Sequence, residues 1–291
     1  MIRHGLRAAA VAIAAGRYEV IPTASIEDAI LEFVPRQVTV AVTASPTKGL
    51  EATLELSARL CEAGYAVVPH VSARLVRDEA HLGEIVARVQ ELGITDIFVP
   101  AGDADPPAGK FESSLSLLEA LQGIDEALDR KLPRIGITGY PESHPKIGDD
   151  VTIQAMWDKR RFASYIVSNL CFDAGTLQGW VHRVRARGVA LPLRVGIAGP
   201  VDRTKLVAMA SKIGVADSAR YLRSHSSTVL KLNAPGGYSP DRLLAKVGPM
   251  LADPASNVEG LHVFTFNQVR ETELWRKELL ERLGVTAAPA S

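Results

Sequence analysis

Short runs of apolar and β-branched residues alternate with longer amphipathic stretches along the whole chain. Most runs are too continuously apolar for strands with one solvated face, which favours parallel strands covered by helices. Eight strands are predicted on this basis: Tyr18–Thr23, Gln37–Ala44, Ala66–Ala73, Thr95–Gly102, Arg134–Tyr140, Tyr165–Phe172, Leu193–Gly199 and Leu261–Asn267.

The stretches between these strands have the spacing of amphipathic helices. Gly64, Gly93 and Gly188 stand where a helix must end before the next strand begins. The predicted helices are Gly49–Ala63, Glu79–Leu92, Ser113–Leu121, Thr176–Arg187, Arg203–Ile213, Ser218–Leu232, Pro240–Leu251 and Arg270–Leu283. The interval between strands seven and eight is unusually long, and we expect it to form an elaborated loop over the substrate.

Eight strand–helix units in one chain predict an α/β protein, a single-domain (β/α)8 TIM barrel. The alternative is a doubly wound open sheet. We assign residues 1–17 to a leading helix, 18–285 to the barrel and 286–291 to a disordered Ala/Pro tail. The start Arg3–Gly16 is interpreted as a helix rather than a signal peptide, because it is short and only weakly apolar.

Charge and composition exclude several classes of function. Lys plus Arg and Asp plus Glu each number 33, so the chain lacks the positive excess that binds nucleic acid. No apolar stretch reaches the length of a membrane span. Cys61 and Cys171 suggest neither a disulfide framework nor a metal cluster. We therefore expect a cytoplasmic protein with no nucleic acid, membrane or metal partner; the sequence leaves the oligomeric state open.

Polar residues gather at the predicted carboxyl ends of the strands, where the active site of a barrel forms. These candidates are Glu19, Thr43, His70, Asp103, Tyr140, Glu142, His144, Asn169, Asp173 and Asn267. No lysine ends strand six, which disfavours a Schiff-base aldolase. No glycine-rich phosphate loop follows strand seven or eight.

Two carboxylates stand out among the candidates. Glu19 interrupts an apolar strand: it either points into the barrel, where burial favours the protonated form that a general acid needs, or it forms an ion pair at the rim. Asp103 follows a glycine turn and precedes two prolines. It either accepts N–H donors from a heterocycle or is an ordinary turn residue. The nearby Tyr140 ring either stacks on a planar ligand or covers the barrel mouth.

Six strand-end segments, taken together, resemble the methylenetetrahydrofolate reductase family. They are Tyr18–Pro22, Val68–Ser72, Gly102–Pro107, Gly139–Pro145, Asn169–Asp173 and His262–Asn267. One such segment is a weak signal, but six in the family's order on predicted strands are specific. The resemblance implies reduction of 5,10-methylenetetrahydrofolate to 5-methyltetrahydrofolate with NAD(P)H. It implies Glu19 and Asp103 for catalysis, Asp103, Asn169 and Tyr140 for substrate binding, and His70, Tyr140, His144 and Gly102 for cofactor binding.

The sequence departs from the family pattern at the cofactor. Ala101 stands where the family carries an arginine that contacts the flavin, so hydride passes either through FAD or directly from NAD(P)H to the folate. Asn169 replaces the family's glutamine and keeps an amide with shorter reach. Two alternative functions share these residues: oxidation of methyl-tetrahydrofolate in a one-carbon pathway, and a non-redox folate-binding barrel.

Overall fold

The computed structural model describes residues 2–128, 133–144, 147–200 and 240–285. The helices predicted at Arg203–Ile213 and Ser218–Leu232 and the tail 286–291 lie outside these residues. Of the elaborated loop expected over the substrate, the described part begins at Pro240, where the predicted helix Pro240–Leu251 is observed.

Eight short parallel strands form one sheet in the order β3-β2-β1-β8-β7-β6-β5-β4. They are β1 Arg17–Val20, β2 Thr39–Val42, β3 Val67–Pro69, β4 Asp96–Phe98, β5 Arg134–Gly139, β6 Tyr165–Ser168, β7 Leu193–Ala198 and β8 Val258–Phe264. The first and last strands of this order meet in a parallel bridge between His70 and Phe98, where Val71 N donates to Phe98 O at 2.8 Å. The sheet therefore closes. The predicted (β/α)8 barrel is confirmed, and the open-sheet alternative is wrong.

Helices cover the outside of the barrel. They are α1 Ile2–Ala14, α2 Ile26–Phe33, α3 Gly49–Glu62, α4 Glu79–Glu91, α5 Ser114–Leu128, α6 Asp149–Lys159, α7 Ala174–Ala186, α8 Pro240–Ala252 and α9 Val269–Leu283. Helix α1 packs against α8 and α9, beside the last strand. Within the described ranges, no helix is both long and apolar enough to cross a membrane.

The pleat of β1 sorts its side chains between the two sides of the barrel wall, since neighbours on a strand point to opposite faces. Tyr18 points outward and donates through its hydroxyl to Glu273 of α9 at 2.8 Å. Arg17 and Glu19 point inward, two residues apart. Glu19 therefore faces the carboxyl end of the barrel interior, and Arg17 faces the amino end.

The amino end of the interior is filled by a buried polar network. Arg17 donates to the Tyr165 hydroxyl at 2.7 Å and to Asp96, and Tyr165 donates to the other Asp96 oxygen at 2.6 Å. Arg134 adds an ion pair to Glu259 at 3.0 Å. Because these residues stand at the first or second position of their strands, the network closes the barrel floor and leaves the opposite end for a site.

Candidate active site

Glu19 lies between imidazole rings from two other strands. His262 Nε2 on β8 is 2.9 Å from Glu19 Oε2, and His70 Nε2 at the end of β3 is 3.8 Å from the same oxygen. The Glu19 side chain is 14% exposed, against 8% for His70 and 3% for His262. The sequence allowed two positions for Glu19, inside the barrel or in an ion pair at the rim. The structure has the inward position, with a small part of the side chain exposed.

The backbone at Glu19 is fastened to the end of β8. Thr265 donates its hydroxyl to Glu19 O at 2.6 Å. Asn267 accepts from Ile21 N at 2.8 Å and donates to Ile21 O at 2.9 Å and to the Thr23 hydroxyl at 3.1 Å. The side-chain amide of Asn267 therefore hydrogen-bonds to the protein's own backbone. This candidate residue holds the end of β1 in place.

His70 is a neutral ring at physiological pH. Burial lowers its pKa to about 4, although the nearby Glu19 carboxyl acts in the opposite direction and His262 and Arg17 add to the lowering. The ring also packs against Phe98 with 4.7 Å between ring centroids. His70 therefore contributes a neutral wall beside Glu19 rather than a positive charge.

The buried His70 makes the fold sensitive to acid. Its folded pKa of about 4 lies below the unfolded value of 6.5, so the stability it contributes is present above pH 6.5 and is lost as the pH falls towards 4. A difference of this size corresponds to ~3 kcal/mol. We expect His70→Gln to lose less stability than the wild type between pH 7 and pH 4, measured by urea unfolding across that range. The exposed His182→Gln should keep the wild-type slope, and equal slopes for all three proteins would contradict the prediction.

Asp103 and Tyr140 form a second part of the site, on the loops after β4 and β5. Burial raises the pKa of Tyr140, and the negative charge of Asp103 adds to this effect. The Tyr140 ring meets the His144 ring edge to face at 4.9 Å. Asp103 itself is exposed. The structure therefore groups an exposed carboxylate with two rings, an arrangement that suits a planar ligand with N–H donors.

The Asp103 loop has a defined shape. Gly102 has φ +87°, and a Cβ there would lie 1.8 Å from the Ser72 hydroxyl oxygen, so this position needs glycine for backbone and space alike. Arg74, which follows β3, donates to Ala104 O at 2.6 Å and to Glu112 O at 3.3 Å. Arg74 was not among the candidates predicted from the sequence, because its neighbours along the chain do not show that it reaches a loop thirty residues away.

The remaining candidates hold local structure. Asn169 Oδ1 accepts from Leu170 N at 2.8 Å. Glu142 accepts from Phe172 N at 2.9 Å, and so joins the loop after β5 to the end of β6. Asp173 accepts from Thr176 N at 2.8 Å and caps α7. Thr43 accepts through its carbonyl from the Thr53 hydroxyl. In the described part of the chain, no group of three or more His, Cys, Asp or Glu side chains could hold a metal ion.

Comparison with known proteins identifies the family. Residues 28–279 match the family profile described as methylenetetrahydrofolate reductase. "Methylenetetrahydrofolate reductase 2" of Saccharomyces cerevisiae is 31% identical over 67 residues, which are 22% of this chain and only 11% of the yeast protein. An uncharacterized protein from Clostridium thermocellum that binds two copies of 5-methyl-5,6,7,8-tetrahydrofolic acid has the same fold. It aligns with a TM-score of 0.61 at 10% identity, over 91% of this chain and 96% of its own. The profile match spans most of the chain and contains five of the six strand-end segments, all except Tyr18–Pro22. This protein belongs to the methylenetetrahydrofolate reductase family.

Proposed function

We propose that this protein reduces 5,10-methylenetetrahydrofolate to 5-methyltetrahydrofolate with hydride from NAD(P)H. The observation that carries the proposal is the position of Glu19: a partly exposed carboxyl at the substrate end of the barrel, held by a histidine on β8. Family membership supports the redox assignment, and the folate-binding protein of the same fold supports the ligand class.

Glu19 supplies the proton in this reaction. The methylene carbon of the substrate bridges N5 and N10, and protonation of N10 allows the bond between N10 and that carbon to break. The electron pair of the bond goes to N10, which leaves an iminium cation at N5. Hydride from NAD(P)H then adds to the iminium carbon and gives the 5-methyl group and NAD(P)+. Glu19, now a carboxylate, takes its next proton from solvent.

Asp103, Tyr140 and Asn169 bind the substrate in this proposal. The exposed carboxylate of Asp103 accepts hydrogen bonds from the pterin N–H groups and balances the cationic charge of the iminium. Tyr140 offers a ring to the pterin face, and its half-buried position beside His144 keeps that ring in place. Asn169 offers its amide Nδ2, since Oδ1 already accepts from Leu170 N.

The described residues do not complete a site for FAD. Ala101 has no guanidinium for the flavin, and Arg74, which reaches the same loop, is engaged by two backbone carbonyls. Two of the residues predicted to bind the cofactor are also engaged elsewhere. His70 faces Glu19 inside the barrel, and Gly102, which follows Ala101, packs against Ser72. In this proposal, hydride therefore passes directly from NAD(P)H to the folate without a flavin.

The purified protein is expected to be colourless and active. Loss of one guanidinium contact removes roughly 1.5–3 kcal/mol of flavin binding, so FAD should not survive purification. The visible absorption spectrum tests this, together with NAD(P)H oxidation that depends on added 5,10-methylenetetrahydrofolate and yields 5-methyltetrahydrofolate by chromatography. A stoichiometric flavin band with ping-pong kinetics would overturn the direct route but leave the reductase in place. Absence of any folate-dependent oxidation would overturn the reductase.

A second function, a non-redox folate-binding barrel, is favoured by one observation. The Clostridium thermocellum protein of this fold holds the product of the proposed reaction. Against this function stands Glu19, because a pure binder gains nothing from an acid enclosed by two histidines. Binding of 5-methyltetrahydrofolate by calorimetry, with no reduction and no oxidation of the folate at any ratio of NAD(P)H to NAD(P)+, would favour the binder.

A further inference from the structure

His262 makes an asymmetric set of contacts. Its Nε2 atom is 2.9 Å from Glu19 Oε2, whereas its Nδ1 atom is buried and has no hydrogen-bond partner in the part of the chain that the structure describes. The two nitrogens of a neutral imidazole differ in the same way: one carries a proton and donates, and the other has a lone pair and accepts. The different contacts of the two nitrogens can therefore be compared with what each protonation state of the ring requires.

An imidazolium is disfavoured at this position. It would carry N–H donors on both nitrogens, and the one on Nδ1 would be buried without an acceptor, which costs more than an unused lone pair. An imidazolium would also hold Glu19 as its carboxylate, with no proton to give. The neutral tautomer with hydrogen on Nε2 satisfies the contact with Glu19 and leaves the carboxyl free to be protonated.

We propose that His262 is the positioning residue of Glu19, a neutral ring whose Nε2–H holds Oε2 and leaves the acidic proton on Oε1, the atom that faces the substrate. This inference rests on the proposed function, in which Glu19 is the proton donor. Both rings that contact Oε2 are almost fully buried. No described residue hydrogen-bonds Oε1, and Oε1 is therefore the oxygen left for a ligand.

The surroundings of Glu19 agree with this arrangement. Among the described residues, the groups that face the carboxyl are His262 on β8 and His70, directly after β3, with the Arg17 guanidinium further down β1. His70 is kept neutral by burial, which lowers its pKa to about 4. Arg17 is engaged by Asp96 and Tyr165. Among the described residues, neither His70 nor the already paired Arg17 thus supplies a free positive charge to Glu19.

Two substitutions at His262 test whether its side chain positions the Glu19 carboxyl or only fills space. Gln places an amide N–H donor near the position of Nε2, whereas Leu fills the space and removes the donor. We expect His262→Gln to keep kcat within about threefold of the wild type, since the donor is retained. We expect His262→Leu to lower kcat about ten- to a hundredfold, since the acid loses its orientation. The exposed His182→Gln serves as the matched control and should behave as wild type.

The pH profile of kcat gives the readout that a packing role would not move. A hydrogen bond to a carboxylate favours its charged form, so removing the donor should move the alkaline limb of the profile to higher pH in His262→Leu and not in His262→Gln. A Leu variant with kcat within twofold of the wild type, or with a lowered kcat and an unmoved limb, overturns the proposal. So does a Gln variant as impaired as the Leu variant.

A spectroscopic test needs no turnover. In protein labelled with ¹⁵N at histidine, with His262→Gln used for assignment, we expect His262 to show one protonated and one unprotonated nitrogen at neutral pH, the proton being on Nε2. Two protonated nitrogens at that pH overturn the inference and leave the proposed reaction standing. If the wild type does not reduce the folate while His262 shows the expected tautomer, the proposed function fails and the arrangement around Glu19 remains.

Discussion

Replacing Glu19 by Gln is expected to lower kcat about 10²- to 10⁴-fold, the range that a lost general acid costs. Gln keeps the shape of the side chain and an oxygen that accepts from His262 Nε2, so the contact at 2.9 Å and the barrel end should survive. What is lost is the proton that N10 needs before its bond to the methylene carbon breaks. Steady-state oxidation of NAD(P)H with 5,10-methylenetetrahydrofolate measures the effect.

Two further measurements decide whether that loss is chemical. The thermal midpoint and the dissociation constant for 5-methyltetrahydrofolate should stay near the wild-type values in Glu19→Gln, because neither depends on the transferred proton. Glu55→Gln, on the exposed face of α3, is the matched control and should retain full activity. A Glu19→Gln protein with unchanged kcat would remove Glu19 from the mechanism and with it the main support for the reductase.

The apolar pattern was sufficient to predict the eight strands, but it did not locate their ends. The first strand was expected over Tyr18–Thr23 and is observed over Arg17–Val20. Ile21 is as apolar as its neighbours, yet its backbone hydrogen-bonds to the Asn267 side chain instead of an adjacent strand. The hydrogen-bond partner of a backbone group depends on contacts between residues that are distant in sequence. The hydrophobic pattern along the chain therefore does not predict that partner.

Two helices were not predicted, each for a physical reason. Helix α2 has only eight residues, too few for its period to be distinct. In α6 the apolar residues do not share one face: Val151 and Trp157 remain 59% and 40% exposed, while Ile153 is buried. A helix-start signal was present in Asp149 and Asp150, since acidic residues favour the first turn.

The inward position of Glu19 could be anticipated from the sequence, whereas its histidine partner could not. Glu19 can be recognised in the sequence because its carboxylate interrupts an apolar run. His262 was included in a family-like segment without a role, and it lies 243 residues from Glu19. The two meet because closure of the barrel pairs β1 with β8, with Arg17 opposite His262. That register could be assigned only after the sheet was known to close.

The largest expected effect on stability lies at the barrel floor, whose polar network was not predicted from the sequence. Arg17→Met is expected to lower the free energy of unfolding by about 3–5 kcal/mol, the cost of removing one partner from a buried ion pair. The variant would leave Asp96, which is buried, with Tyr165 and only a distant Arg134 at 3.9 Å. Urea unfolding at pH 8 measures the loss, and Arg59→Met, which breaks an exposed pair with Glu27, should cost at most about 1 kcal/mol.

The pH dependence of that loss identifies its origin. Burial raises the pKa of Asp96 despite the attraction of Arg17, and removal of the guanidinium should raise it further. A carboxyl whose folded pKa exceeds its unfolded value favours the folded state more as the pH falls. The deficit of Arg17→Met should therefore shrink from pH 8 to pH 5. Adding Asp96→Leu to Arg17→Met removes the stranded carboxyl and should recover part of the stability. A deficit that is the same at both pH values, with no recovery in the double variant, would show that packing of the Arg17 side chain and not its charge holds the barrel floor together.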